Sequence, residues 1–146
     1  MKVSLIIAVY KDIEALSIII EALKMQTYTN FEVVVAEDGN SKEMQKFIST
    51  ITDLDIKHTT QEDIGIRKSR SVNNGILASS GEYLIFIDGD CVPYSTFIES
   101  HLSLAENGYI LSGRRVNLGP KYSQKLRQKE ISPINLENSF ILRYPS

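Results

Sequence analysis

A chain of 146 residues, 42% apolar, 23% charged and with a net charge of −2, has the length and composition of one globular domain. These figures exclude wholesale disorder, a collagen-like repeat and a coiled coil. The longest uncharged apolar stretch, Val3 to Tyr10, falls far short of the ~20 residues that a membrane-spanning helix needs.

Val3 to Val9 (VSLIIAV) is a continuous β-branched run, the pattern of a strand buried on both faces. From Asp12 to Gln26 the spacing of Ile13, Leu16, Ile20 and Leu23 predicts a helix. Phe31 to Ala36 (FEVVVA) is a second buried strand. After Glu37-Asp38-Gly39-Asn40, Ser41 is an N-cap for a helix with Met44, Phe47, Ile48 and Ile51 on its inner side. Asp55 to Thr60 is a weaker third strand, and a helix follows over Lys68–Ala78. Tyr83 to Ile87 (YLIFI) is the fourth strand and stops at Asp88-Gly89-Asp90. Pro93 is expected to open a helix with Phe97, Ile98, His101, Leu102 and Ala105 inward. Tyr109 to Ser112 is a candidate fifth strand. Beyond Gly119 the pattern degrades at Pro120, Pro133 and Pro145, and the chain reads as incomplete.

Charge is unevenly spread. Residues 1–107 hold 9 Lys and Arg against 16 Asp and Glu, whereas 108–146 hold 7 against 2. The basic end is either a solvated tail or a face for phosphate or an anionic membrane. The single cysteine, Cys91, permits no internal disulfide and no cysteine cluster for zinc, which points to a reducing cytoplasm. No signal-peptide pattern precedes Lys11 and Asp12.

Alternating strands and helices joined by long connections imply right-handed crossovers and a mostly parallel sheet. Ligands of such sheets bind beyond the carboxyl ends of the strands, which here are Ala8–Lys11, Glu37–Asn40, Gln61–Gly65 and Asp88–Cys91. Asp88 and Asp90 are set apart by one glycine at the tip of an apolar strand. They can converge on one hard divalent cation, or divide between a cation and a sugar hydroxyl; the alternative is a turn with two solvated aspartates. Gly89 is expected to leave room for a ligand against the backbone. Glu37 and Asp38 can accept from a nucleobase imide or from ribose hydroxyls, or simply favour the turn. Arg67, Lys68 and Arg70 beside a helix N-terminus suit a diphosphate, or form an exposed basic face. Asn73 lies one turn beyond Arg70. His101 reads as a core histidine, Cys91 as packing, and Tyr10 as either a base-packing or a rim residue. His58 stands alone in its strand.

The succession VSLIIAVYKD, FEVVVAEDGNS and QEDIGIRKSRSVNNGILASSGEYLIFIDGDCVP resembles, over about residues 2–119, the nucleotide-binding half of family 2 glycosyltransferases, inverting enzymes of the GT-A fold. The form of the later motifs is most similar to bacterial enzymes that build surface polysaccharide or lipopolysaccharide. The resemblance implies an α/β, Rossmann-like, mostly parallel sheet flanked by helices. Residues 1–119 would form the nucleotide-sugar domain, and 120–146 a basic segment opening the acceptor side. Ala8, Val9, Tyr10 and Asp38, with Glu37 beside it, would hold base and ribose. Gly65, Arg67 and Arg70 would lie near the base and diphosphate. Asp88, Gly89 and Asp90 would form the acidic-pair motif, with Asp88 and Asp90 holding Mn²⁺ or Mg²⁺ and Asp90 the more direct ligand.

The donor implied is a nucleotide-diphosphate sugar, a UDP-sugar in first place. The acceptor is a glycan or a lipid-linked molecule, and the place is the cytoplasm, at the inner membrane face. The metal and Arg67 or Arg70 would neutralise the leaving diphosphate while a carboxylate deprotonates the attacking hydroxyl. That carboxylate is not identified. Past Asp90 only Glu99, Glu106, Glu130 and Glu137 are acidic, and none sits in a matching motif. A first alternative is therefore a donor-binding fragment without catalysis of its own. A second is a haloacid-dehalogenase-like phosphatase using Asp88 and Asp90, disfavoured because no aspartate follows. A nucleotidyltransferase lacks its glycine-rich basic loop here, and a Rossmann oxidoreductase its GxGxxG turn. The basic excess lacks the interleaved aromatics of a nucleic-acid surface.

Overall fold

The computed structural model describes residues 1–143, so Pro145 lies outside the described residues. The chain divides into two compact units, Met1–Leu16 with Asn30–Asp90, and Ser17–Thr29 with the chain from Cys91 onward.

The first unit holds a four-stranded, wholly parallel sheet. Its strands are β1 (Val3–Val9), β2 (Phe31–Glu37), β3 (Ile56–Thr59) and β4 (Tyr83–Asp88), in the order β3-β2-β1-β4. The α/β fold expected from the sequence is present. Val3, Leu5, Ile7, Val33 and Val35 are fully buried, each side chain contributing roughly 1.5–3 kcal/mol by leaving water. Helix α3 (Lys68–Ala78) lays Ile76 and Ala78 on the opposite row, Ile6, Val34 and Ala36. It comes this close because Gly75 has no side chain: a Cβ there would stand 3.1 Å from Ile6 Cγ2 and 3.2 Å from the Ala36 methyl. Helix α2 (Lys42–Ser49) starts where Ser41 caps it, with Oγ accepting from the Met44 N–H at 3.2 Å, and it buries Met44 and Ile48.

The amino ends of the strands are tied by one buried carboxylate. Glu32 on β2 accepts from Ser4 Oγ (2.7 Å), from the Ser80 N–H (2.6 Å) and from Ser80 Oγ (2.7 Å). Lys2 and Lys57 Nζ each lie 3.0 Å from its Oε2. Burial alone would raise its pKa. The hydrogen bonds from Ser4, Ser80 and Lys2 outweigh that and hold it well below the usual carboxylate range.

Helix α1 (Ile13–Lys24) begins in the first unit, capped by Asp12 Oδ1 on the Ala15 N–H at 3.0 Å, and runs into the second. In the second unit, the buried Gln26 donates to the Tyr94 carbonyl (2.7 Å) and accepts from the Ile98 N–H (3.1 Å). Thr27 donates its N–H to the Ser95 carbonyl (2.9 Å) and its hydroxyl to Glu99 (2.7 Å). These bonds keep residues 91–96 irregular, so α4 spans Phe97–Leu104 and does not open at Pro93. Ala105, expected on its inner stripe, is the exposed C-cap. His101 packs edge-on against Phe97, with centroids 4.7 Å apart, and burial pushes its imidazole pKa down.

Tyr109–Ser112 forms no strand. Ile110 is exposed, and no described strand pairs with this stretch to satisfy its backbone. Pro120 and Pro133 start helices rather than interrupt them: α5 spans Pro120–Arg127 and α6 Pro133–Arg143, because a first-turn position has no N–H bond to lose. No helix among the described residues is long and apolar enough to cross a membrane.

Candidate functional site

Chain order runs outward from β1 through β2 to β3, then returns to the other side of β1 with β4. The strand order therefore reverses at β1, and Ala8 lies between Ala36 of β2 and Asp88 of β4. Crevices at such reversals, beyond the carboxyl ends, are where parallel sheets receive ligands.

At the end of β1, Val9 is buried and its carbonyl accepts from the Asp38 N–H at 3.0 Å. Tyr10 is half-exposed, with the Lys11 ammonium 4.8 Å from its ring centroid. Lys11 is left-handed (φ 56°), a conformation that disfavours a Cβ. Its Nζ is paired with Asp63 at 2.8 Å. That bond, with a smaller contribution from Tyr10, raises the Lys11 pKa and lowers that of Asp63.

At the end of β2 the two acids diverge. Glu37 is buried and turned to the sheet, accepting from the Ser41 N–H (2.9 Å) and lying 2.8 Å from His58 Nε2. Asp38, 7% exposed, accepts from Gln61 Nε2 through Oδ1 (2.6 Å) and from the Arg67 N–H through Oδ2 (2.7 Å). One carboxylate thereby holds both ends of the loop that leads to α3. Gly65, within that loop, is left-handed (φ 61°) and open to solvent. Arg67 is the N-cap of α3, and its guanidinium donates to the Glu62 carbonyl. Arg70 and Asn73 are exposed on α3. Three buried polar atoms of this region, Thr59 Oγ1, Arg67 Nε and Ser71 Oγ, have no protein partner, and such atoms ordinarily take a water or a ligand group. Lys11, Glu37, Gly39, Asn40, Ser41 and Asp63 line an open cleft of about 110 Å³.

At the end of β4, Asp88 is the last strand residue and Asp90 is exposed. Each offers a carboxylate oxygen within 4.8 Å of the other. Two hard oxygen donors this near each other are of the type that hard divalent cations take. Between them, Gly89 is needed by the protein's own backbone: a Cβ there would stand 2.7 Å from the Ala8 carbonyl oxygen. On the side where a Cβ would point, the space at Gly89 is taken by Ala8 and Val9. Lys68, the first residue of α3, forms an ion pair with Asp88.

The sequence and the fold are matched by known proteins. The family model for glycosyl transferase family 2 covers residues 4–145. This chain belongs to glycosyltransferase family 2. It is 32% identical over 136 residues to an uncharacterized glycosyltransferase of Rickettsia bellii, covering 90% of this chain and 19% of that relative. The family 2 chain spans about a fifth of the length of the first relatives it matches. Among solved structures, Staphylococcus aureus TarS 1–349 in complex with UDP-GlcNAc superposes with a TM-score of 0.63 at 21% identity, over 70% of this chain and 30% of that one. The mannosyltransferase PcManGT of Pyrobaculum calidifontis, in complex with GDP-Man and Mn²⁺, gives 0.54 at 18% identity, over 62% and 28%. These likenesses show the GT-A fold.

Two contacts of the family 2 chain escaped the sequence. His58, read as solitary, pairs with Glu37. The signal was available, because Val35 faces His58 across β2 and β3, and Glu37, two residues on, shares that face. Lys68, grouped with Arg67 and Arg70 for a diphosphate, meets Asp88 instead. Nothing in the spacing of Lys68 and Asp88 announces that contact.

Proposed function

We propose that this chain is the donor-binding half of an inverting, metal-dependent glycosyltransferase that moves a sugar from a nucleotide-diphosphate sugar, a UDP-sugar in first place, to a glycan or lipid-linked acceptor. The observation that carries the reading is the acidic pair Asp88/Asp90 beside the end of β1, where the strand order reverses. UDP-GlcNAc in TarS and GDP-Man with Mn²⁺ in PcManGT support it by analogy of fold.

Asp88 and Asp90 are the residues to hold the ion, and a divalent cation supplies charge neutralisation for the leaving nucleoside diphosphate. Tyr10 offers an exposed ring to the base. Asp38, already fixed by Gln61 and Arg67, keeps lone pairs for an imide N–H or a ribose hydroxyl. The first-turn N–H groups of α3 and the exposed Arg70 serve the phosphates. The base that deprotonates the acceptor is not assigned. Glu99 accepts from Thr27, and Glu137 accepts from the Ser95 N–H (2.9 Å) and hydroxyl (2.6 Å), so both have structural work. The basic segment 120–146 opens the acceptor side, at the cytoplasmic face of a membrane. Those engaged glutamates favour one second reading, a donor-binding module that releases no nucleoside diphosphate alone.

Calorimetric titration with UDP tests the proposal. Mn²⁺ is expected to tighten binding by roughly ten-fold or more in the wild type and not at all in Asp90→Ala. Equal enhancement in the variant would remove the metal role.

A further inference from the structure

We propose that Lys68 is a resident counter-cation of Asp88, which a divalent ion must displace before it can settle on the acidic pair. The inference rests on the metal-binding reading above. Lys68 stands at the first position of α3, and its ammonium is seated on Asp88 Oδ1. Its neighbours in the basic cluster do different work. The Arg67 backbone N–H serves Asp38, its guanidinium serves the Glu62 carbonyl, and Arg70 is exposed on the helix.

Asp88 thus meets a cation from its own chain, and a divalent ion on either carboxylate oxygen brings two further positive charges close to that ammonium, so ion and ammonium repel and compete for the carboxylate. The exchange is within reach. Both side chains are about half exposed, 54% for Lys68 and 46% for Asp88. An ion pair this wet is worth little, so it taxes metal affinity without abolishing it. Until the ion arrives, the ammonium lowers the repulsion between two carboxylates held 4.8 Å or less apart. Once displaced, the same positive charge is free at the N-terminus of α3, the end that already favours anions. Lys68 is thereby a positioning residue that sets the threshold for metal binding.

The test uses MnCl₂ alone, titrated into the whole chain and followed by the electron-spin-resonance signal of free Mn²⁺, with no nucleotide and no turnover. Lys68→Met is expected to bind Mn²⁺ roughly three- to ten-fold more tightly than the wild type. Lys68→Arg, which keeps the cation, stays near the wild type. Lys46→Met makes the same change in net charge from the exposed side of α2 and should leave the affinity unaltered. Unchanged or weaker binding in Lys68→Met overturns the proposal, as does equal tightening in Lys46→Met. If the wild type binds Mn²⁺ and Lys68→Met does not differ, the metal reading stands and only the counter-cation falls. If neither binds, both fall.

Discussion

Asp38 has structural work that its proposed ligand role would have to share. Its two oxygens anchor Gln61 and the Arg67 N–H, so the loop before α3 is built on this carboxylate. Asp38→Ala should therefore weaken uridine and UDP alike, by roughly 10- to 100-fold, the scale of a lost bond or two to a charged acceptor. If calorimetry showed only UDP affected, Asp38 would belong to the phosphate end and the base-side assignment would be wrong. Lys11 presents the converse case. Its left-handed backbone costs about 1–2 kcal/mol, partly offset by its links to Asp63 and Tyr10. Glycine at this position relaxes the backbone but severs the bridge to Asp63. Lys11→Gly is accordingly expected to change the melting temperature by less than the ~4 °C that 1 kcal/mol produces in a domain of this size. A larger fall, measured by differential scanning calorimetry, would show that the bridge outweighs the strain.

Among the elements, those with strong periodicity were legible in advance. β1 and α3 occupy the expected residues, and Ser41 caps α2 as its position before an amphipathic run implies. Ser41→Ala should cost about 1 kcal/mol, because α2 has only eight residues over which to spread an unpaired Met44 N–H. Urea denaturation would register this as a lower midpoint at constant slope, and an unchanged midpoint would deny the cap its role. Illegible elements were those decided by partners distant in sequence. Gln26 and Thr27 determine where α4 begins, across about 70 residues of chain. Local propensity at Pro93 contains no trace of them. Tyr109–Ser112 has the composition of a strand but no described neighbour to pair with, and composition alone does not make a ladder. The same division applies to the candidate site. Acids at strand ends could be read from alternation and turn residues, whereas the contacts Glu37–His58 and Lys68–Asp88 depend on how strands and helix are laid side by side.

At the scale of the molecule, the sheet is fastened at one end by Glu32 and carries the candidate site at the other. Glu32 has a folded pKa below its unfolded one, so its stabilisation is complete above the usual carboxylate range, near pH 4.5, and is lost as the pH falls from there toward the folded value. Glu32→Gln should cost roughly 2–3 kcal/mol at neutral pH, since two lysines lose their buried partner while keeping some access to water. It should also flatten the decline of stability below about pH 4.5. Parallel wild-type and variant profiles across that range, in chemical denaturation, would contradict the assignment. Glu32 and Ala36 lie four residues apart on one strand, about 13 Å at the rise of an extended chain. That short span makes protonation below and occupancy above two loads on a single beam. Any molecule gripped at the upper rim, whatever its chemistry, ought to delay the collapse that acid provokes at the foot, so endurance at low pH becomes a gauge of what the rim has caught.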